Sequence, residues 1–277
     1  MPRTERLTNQ KLTVEIDAAS RLVRDGLGRL KRLREEGYDI TFALHTLYYK
    51  PHPKLKEVIA KYDIWCQTQP TTPSERKVHE AQGGRLMEQL ALSAFMGLEG
   101  DYEYSSFTSV NTQHDLVIYG DIRTAWGVIQ ETIGFDSATP CHKVVIEAKN
   151  LKHEVDSAYF SRLCFAVQNK YAEQCRLGVF FTRKGAKGFN RRQTLTSARA
   201  TQILFHASTQ KYIVVFDESD IRALLEPGML IKMLRDKISD IEDMRKTYIN
   251  QYDGALEDHA LPDHLAEVLV NDGDLFI

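Results

Sequence analysis

Lys143-Val144-Val145-Ile146-Glu147-Ala148-Lys149-Asn150 reads as a buried β-strand that ends in two opposite charges. Three β-branched residues in succession favour an extended, packed backbone. Alternate side chains of a strand share a face, so Val145, Glu147 and Lys149 point one way and Val144, Ile146 and Ala148 the other. An apolar scaffold that sets a carboxylate beside an ammonium must stabilise both charges. Pairing the two is one solution; a bound metal ion with a substrate phosphate is another.

Two further strands are expected upstream of it. Residues 114–121 are an apolar run led by His114-Asp115 and closed by Gly120-Asp121, and residues 102–110 alternate more weakly. A short helix around residues 126–133 and a loop through Pro140 separate them from the central strand. Before all of these, Thr72 caps a helix that begins at Pro73, with Glu75 closing a capping box. The helical pattern is broken at Gly83-Gly84, continues through Leu86, Leu90, Ala94 and Phe95, and stops at Gly97.

Downstream, residues 156–176 carry the longest helical pattern, with Tyr159, Leu163, Val167 and Tyr171 on its apolar side. Strands are expected at 178–182 and 212–216, separated by the basic turn Lys184-Gly185-Ala186-Lys187-Gly188 and a helix near 196–207. A short helix capped by Asp217 or Ser219, a charged helix over 229–248 and an acidic tail close the chain. The order helix, strand, strand, strand, helix, strand, helix, strand predicts an α/β protein with a mixed central sheet flanked by helices. Residues 1–70 read as a helical N-terminal region, 71–217 as the core and 218–277 as a helical C-terminal region.

Hydrophobic residues make up 43% of the chain and charged residues 27%, which excludes extensive disorder. Met1-Pro2-Arg3-Thr4-Glu5-Arg6 is followed by no apolar core, so no secretory signal is expected. No apolar run reaches the length of a bilayer. Cys66, Cys141, Cys164 and Cys175 form no C-x-x-C pair, which argues against a zinc ribbon or redox dithiol. A cytoplasmic protein with reduced thiols and no membrane partner is the expectation.

The net charge of −2 hides an asymmetry, because no acid occurs between Glu173 and Asp217, where Arg176, Arg183, Lys184, Lys187, Arg191, Arg192, Arg199 and Lys211 lie. A basic block beside a candidate acid–base site suggests a polyanionic substrate. A solvated basic face balanced by the acidic tail is the alternative.

Asp115 opening one strand, Glu147-Ala148-Lys149 ending the next, Gly84 and Glu88 on the preceding helix and a long helix after Lys149 together resemble the PD-(D/E)xK, or restriction-endonuclease-like, nuclease superfamily. The resemblance covers roughly residues 73–217. It implies a restriction-endonuclease-like core, a Mg²⁺-dependent endonuclease activity on phosphodiester bonds, with Mn²⁺ as substitute, and a role in restriction or defence against foreign DNA. Phosphodiester hydrolysis needs an in-line water and neutralised charge on the phosphate and the leaving oxygen. Mg²⁺ takes hard oxygen ligands at about 2.1 Å, usually one or two carboxylates with waters and substrate oxygens. Asp115, Glu147 and the Ala148 carbonyl are the expected ligands, and Lys149 would orient or help deprotonate the attacking water. By the resemblance Glu88 reaches the metal shell directly or through water, and Gln168 contacts substrate or the lysine.

Each residue has a plainer alternative. Glu147 and Lys149 can form a strand-end ion pair, and Asp115 can be a strand cap, with Asp136 then the fallback acid. Gln168 and Glu88 can be ordinary helix residues. His114, His142 and His153 lie near the proposed site, but the lysine makes a histidine base unnecessary. Lys184, Lys187, Arg191 and Arg192 are the expected contacts to the sugar–phosphate backbone, giving affinity without sequence readout. DNA is the expected partner, with RNA as the alternative, and cutting both strands of a duplex favours a homodimer. The rival functions are a catalytically inactive nuclease-fold protein that binds nucleic acid or protein, and an interaction protein working through helices 12–36 and 229–248.

Overall fold

The computed structural model describes residues 45–108, 113–121, 125–135, 141–189 and 197–253, with isolated positions between 29 and 37. Apart from those positions the helix expected over 12–36 lies outside the described residues, as do the acidic tail, Asp136, Arg191 and Arg192. So do the side chains of residues 113–115, although their backbone is described.

Helix α1 (Pro53–Gln67) starts where His52 Nδ1 accepts the Lys54 backbone N–H. It buries Leu55, Val58, Ile59, Tyr62 and Trp65 along one side. Helix α2 (Pro73–Phe95) begins with the anticipated capping box: Glu75 N–H donates to Thr72 Oγ1 at 3.2 Å, and Thr72 N–H donates to Glu75 Oε2 at 3.1 Å. It runs unbroken through Gly83-Gly84. A Cβ at Gly83 would stand 2.1 Å from Asn150 Nδ2 and 2.4 Å from the Trp65 ring, so this glycine provides close approach instead of a break.

The sheet has the spatial order β1 (Tyr102–Thr108), β2 (Gln113–Gly120), β3 (Lys143–Lys149), β4 (Cys175–Thr182) and β5 (Tyr212–Phe216). The first three form an antiparallel meander; β3–β4 and β4–β5 are parallel. Helix α3 (Ala125–Thr132) lies between β2 and β3 in sequence, α4 (Ser157–Phe165) crosses from β3 to β4, and α5 (Ala198–Thr209) from β4 to β5. Helices α6 (Glu218–Ala223) and α7 (Met229–Asp253) follow. This is an α/β protein with a five-stranded mixed sheet flanked by helices.

The two faces of the sheet carry separate cores. Val144, Ile146, Ala148, Val179, Phe181, Val214 and Phe216 pack with α1, α2 and α7, through Leu55, Met87, Leu90 and Leu234. Val145, Phe180, Ile213 and Val215 pack under α4 and α5, with Phe160 stacked 5.3 Å from Phe180. Each fully buried Val, Leu, Ile or Phe contributes about 1.5–3 kcal/mol. Gly178 has no side chain because a Cβ there would lie 2.5 Å from Ile213 Cδ1 and 3.0 Å from Val167.

The helix expected over 156–176 is shorter and changes pitch. After α4 the chain forms a π-helix, Ala166–Lys170, and leaves helical geometry at Tyr171. Cys175 belongs to β4 and pairs with Lys143, so it shares no helix with Cys164. A three- to four-residue recurrence at Tyr171 and Cys175 fits either conformation; the apolar run Leu177–Phe181 draws the chain into the sheet. Buried Lys211 holds the end of this segment, donating from Nζ to the Val167 carbonyl at 3.1 Å and to the Ala172 carbonyl. No helix among the described residues is long and apolar enough to cross a membrane.

Candidate functional site

The C-terminal end of β3 brings its two charges together. Lys149 Nζ lies 2.6 Å from Glu147 Oε1, with the lysine side chain 25% exposed and the glutamate 15%. Both stand on the face of Val145, which is completely buried. Ala148, between them, turns its methyl group into the opposite core and is 6% exposed. At this depth the pair is shielded from water more than an ordinary surface ion pair, so separating the two charges carries a real cost.

Asp115 approaches from the neighbouring strand. The β2–β3 register runs from Tyr119↔Lys143 to Leu116↔Ile146, so Asp115 and Glu147 are each the residue next to its last pair. Strand pairing thus supplies a reason why residues 32 apart in sequence fall at the same end of neighbouring strands. The Asp115 side chain lies outside the described residues. Among the described residues no three His, Cys, Asp or Glu side chains form a metal cluster. The hard oxygens placed here are the Glu147 carboxylate and the backbone carbonyls at the end of β3, a donor set that suits Mg²⁺ better than a soft metal.

The remaining anticipated residues divide by position. Glu88 is exposed on α2, which packs on the Val144–Ile146 side of the sheet and not on the side that carries Glu147. Gln168 lies in the π-helix, and its Oε1 is buried with no hydrogen-bond partner among the described residues. Lys184 and Lys187 are exposed in the turn after β4. That turn is fastened to the chain following β3: Val155 N–H donates to the Gly185 carbonyl and Lys187 N–H to the Val155 carbonyl, both at 2.9 Å. Gly185 and Gly188 take φ of +73° and +86°, which a side chain would resist.

Other members of the basic block are committed to packing. Arg199 bonds Gln202 and Asp240 and lies over the Phe189 ring; Arg176 lies over Phe135; Lys211 is buried. Asp136, Arg191 and Arg192 lie outside the described residues.

A polar and aromatic cluster at the same end of the sheet was not anticipated. Asn150 follows Lys149 directly and accepts a 3.2 Å hydrogen bond from the Tyr62 hydroxyl. Trp65 stacks on His79 with ring centroids 4.4 Å apart, and Arg183, the residue after β4, lies 5.7 Å from the Trp65 ring centre. The Arg183 Nε is buried with no hydrogen-bond partner among the described residues. Adjacency of Asn150 to Lys149 and of Arg183 to the strand end were the available signals. Their meeting with α1 is a long-range contact that no local pattern encodes.

The cysteines do not belong to a site. Burial pushes the Cys164 thiol up to about 12 and raises Cys141 and Cys175 as well, so none supplies a thiolate near neutral pH. Comparison of the chain with known protein families, with curated proteins and with solved structures gives no match.

Proposed function

We propose that this chain is a metal-dependent nuclease that hydrolyses phosphodiester bonds of DNA, built on a restriction-endonuclease-like core. The observation that carries the reading is the 2.6 Å approach of Lys149 Nζ to Glu147 Oε1 at the end of β3. Its support is the antiparallel β1–β2–β3 meander joined to parallel β4, with Asp115 next in register to Glu147. Acid, acid and lysine on adjacent strands are what phosphodiester hydrolysis asks for.

In this reading Glu147, the Ala148 carbonyl and Asp115 hold Mg²⁺. The ion, when bound, lowers the pKa of a water and neutralises charge on the phosphate. Lys149 orients the attacking water through Nζ and offsets negative charge on the scissile phosphate, with Glu147 keeping the ammonium in place. Val145 and the apolar scaffold beneath limit access of bulk water. Lys184 and Lys187 hold the sugar–phosphate backbone on the turn beside the strand end. A two-fold dimer would cut both strands of a duplex, and a restriction or defence role fits such an activity.

One observation favours a second reading, a non-catalytic nucleic-acid-binding or protein-interaction module of the same fold. The Glu147–Lys149 pair satisfies both charges without a ligand. Incubation with plasmid DNA and Mg²⁺, with and without chelator, beside Lys149→Ala decides between the two. The nuclease cuts in a chelator-sensitive way, and the variant binds DNA without cutting it. Chelator-insensitive cutting, or full activity in the variant, discards the mechanism; binding with no cutting by the unsubstituted chain selects the second reading.

A further inference from the structure

A groove of about 990 Å³ opens on the sheet face that carries Glu147 and Lys149, at the other end of β3. Strand register aligns Glu103, Tyr119 and Lys143 in one row across β1, β2 and β3. Helix α4 covers β3 and β4 and leaves this part of the meander open, while the end of the π-helix and Tyr171 form one wall. Tyr119 is 39% exposed and stacks on His142, with centroids 5.8 Å apart and planes 11° from parallel. Lys143 Nζ and Lys170 Nζ stand 5.2 and 5.4 Å from the Tyr171 ring centre. His142 Nδ1 is buried with no hydrogen-bond partner among the described residues. Glu103 and Glu173 also line the groove.

These groups are matched to a base and a phosphate together. Aromatic rings with an exposed edge or face stack on any base, and ammonium groups attract the backbone. The two glutamates argue against a long row of phosphates, while a carboxylate can accept from a base amino group. In a duplex the base faces are already stacked, and a second phosphate row would be brought against the carboxylates. An unpaired strand avoids both conflicts. From Lys143 to Glu147 the strand advances ~13 Å at ~3.3 Å per residue, the length of about four stacked base steps.

We propose that this groove binds a single nucleic-acid strand leading to the Glu147–Lys149 end of the sheet, with one base on Tyr119 and a phosphate on Lys143. The site deepens the nuclease reading, on which it rests, by adding to the duplex it cuts a short unpaired stretch of one strand, opened beside the cut and held in this groove. Lys143 and Tyr119 are binding residues here and take no part in bond cleavage.

The test is fluorescence anisotropy with the full chain, in chelator and low salt, using a labelled 12-nucleotide DNA strand, an RNA strand of the same sequence and the corresponding DNA duplex. Either single strand binds more tightly than the duplex. Tyr119→Ala and Lys143→Ala each weaken single-strand binding about tenfold, and Lys143→Ala also lowers the slope of log affinity against log salt by ~0.7. Tyr119→Trp and Lys143→Arg, which keep a stacking surface and a charge, retain binding and separate loss of the site from loss of the fold. Unchanged affinity in both alanine variants overturns the proposal, as does equal affinity for the duplex or for a mononucleotide. Because no cleavage is read, single-strand binding lost in these variants by a chain that never cuts plasmid keeps the groove and rejects the nuclease; a chain that cuts plasmid while both variants bind normally does the reverse.

Discussion

Lys149 Nζ stands 2.6 Å from Glu147 Oε1, two residues along one face of β3, with both side chains at least three-quarters buried. The lysine is placed where it can serve a reaction or merely a neighbouring charge. Lys149→Ala separates these. Cleavage falls by about 10²–10⁴, the range of a positioned proton-transfer group, while stability falls by about 1–3 kcal/mol because a largely buried carboxylate loses its partner. Lys149→Arg adds a finer distinction: arginine keeps the charge but does not release its proton. Plasmid cleavage lost in both variants assigns the lysine to the water; rescue by arginine assigns it to the phosphate charge.

Gly83→Ala tests the close packing of α2 on the end of β3. Alanine favours an isolated helix over glycine by about 1 kcal/mol. Here its Cβ would lie 2.1 Å from Asn150 Nδ2 and 2.4 Å from the ring of Trp65, which is buried. Overpacking of this kind costs about 1–3 kcal/mol. The clash outweighs the propensity gain, and the urea midpoint falls. A midpoint raised by the substitution would show that this end of the sheet yields easily.

The exposed turn lysines act on affinity and not on chemistry. A Lys184→Ala, Lys187→Ala double variant weakens duplex binding to a similar degree for unrelated sequences, and lowers the salt slope by about two if each lysine meets one phosphate. Titrations at several salt concentrations measure this directly. An unchanged slope removes the turn from the interface.

Stability should decline on the acid side through His206. Burial holds this imidazole below its ordinary range, against the opposing pull of the Lys211 carbonyl at Nδ1, and the ring stacks on Tyr212 at 4.4 Å. The unfolded chain takes up a proton near pH ~6.5, where the native imidazole remains neutral. The contribution is therefore complete above pH ~6.5 and is lost as pH falls through that value toward the native pKa. Denaturant midpoints between pH ~7.5 and ~5 fall more steeply for the unsubstituted chain than for His206→Gln. Parallel slopes would assign the acid sensitivity elsewhere.

Local patterns made much of this protein legible. The alternation in residues 143–149 gave the right strand and the right face for Glu147 and Lys149. Thr72, Pro73 and Glu75 marked the start of α2. Gly83, in contrast, looked like part of a break and is a point of close contact, because a glycine's reason lies in what approaches it. The reading of residues 156–176 as one helix failed for a related reason. Tyr171 and Cys175 continue a helical recurrence, yet sheet pairing to Lys143 outweighs it.

What the order of residues settled alone was therefore the identity, sequence and facing of the elements, since these depend on neighbours within a turn or a strand. Which strands lie side by side, and hence that Asp115 follows the last β2–β3 pair at the Glu147 end, required the folded sheet. So did the division of the basic block into packed Arg199, Arg176 and Lys211 and outward Lys184 and Lys187, and the groove left open beside Tyr119. Charge and hydropathy along a chain say which side chains seek water. Only the packing of distant segments determines which of them reach it, and which are consumed by partners on the way.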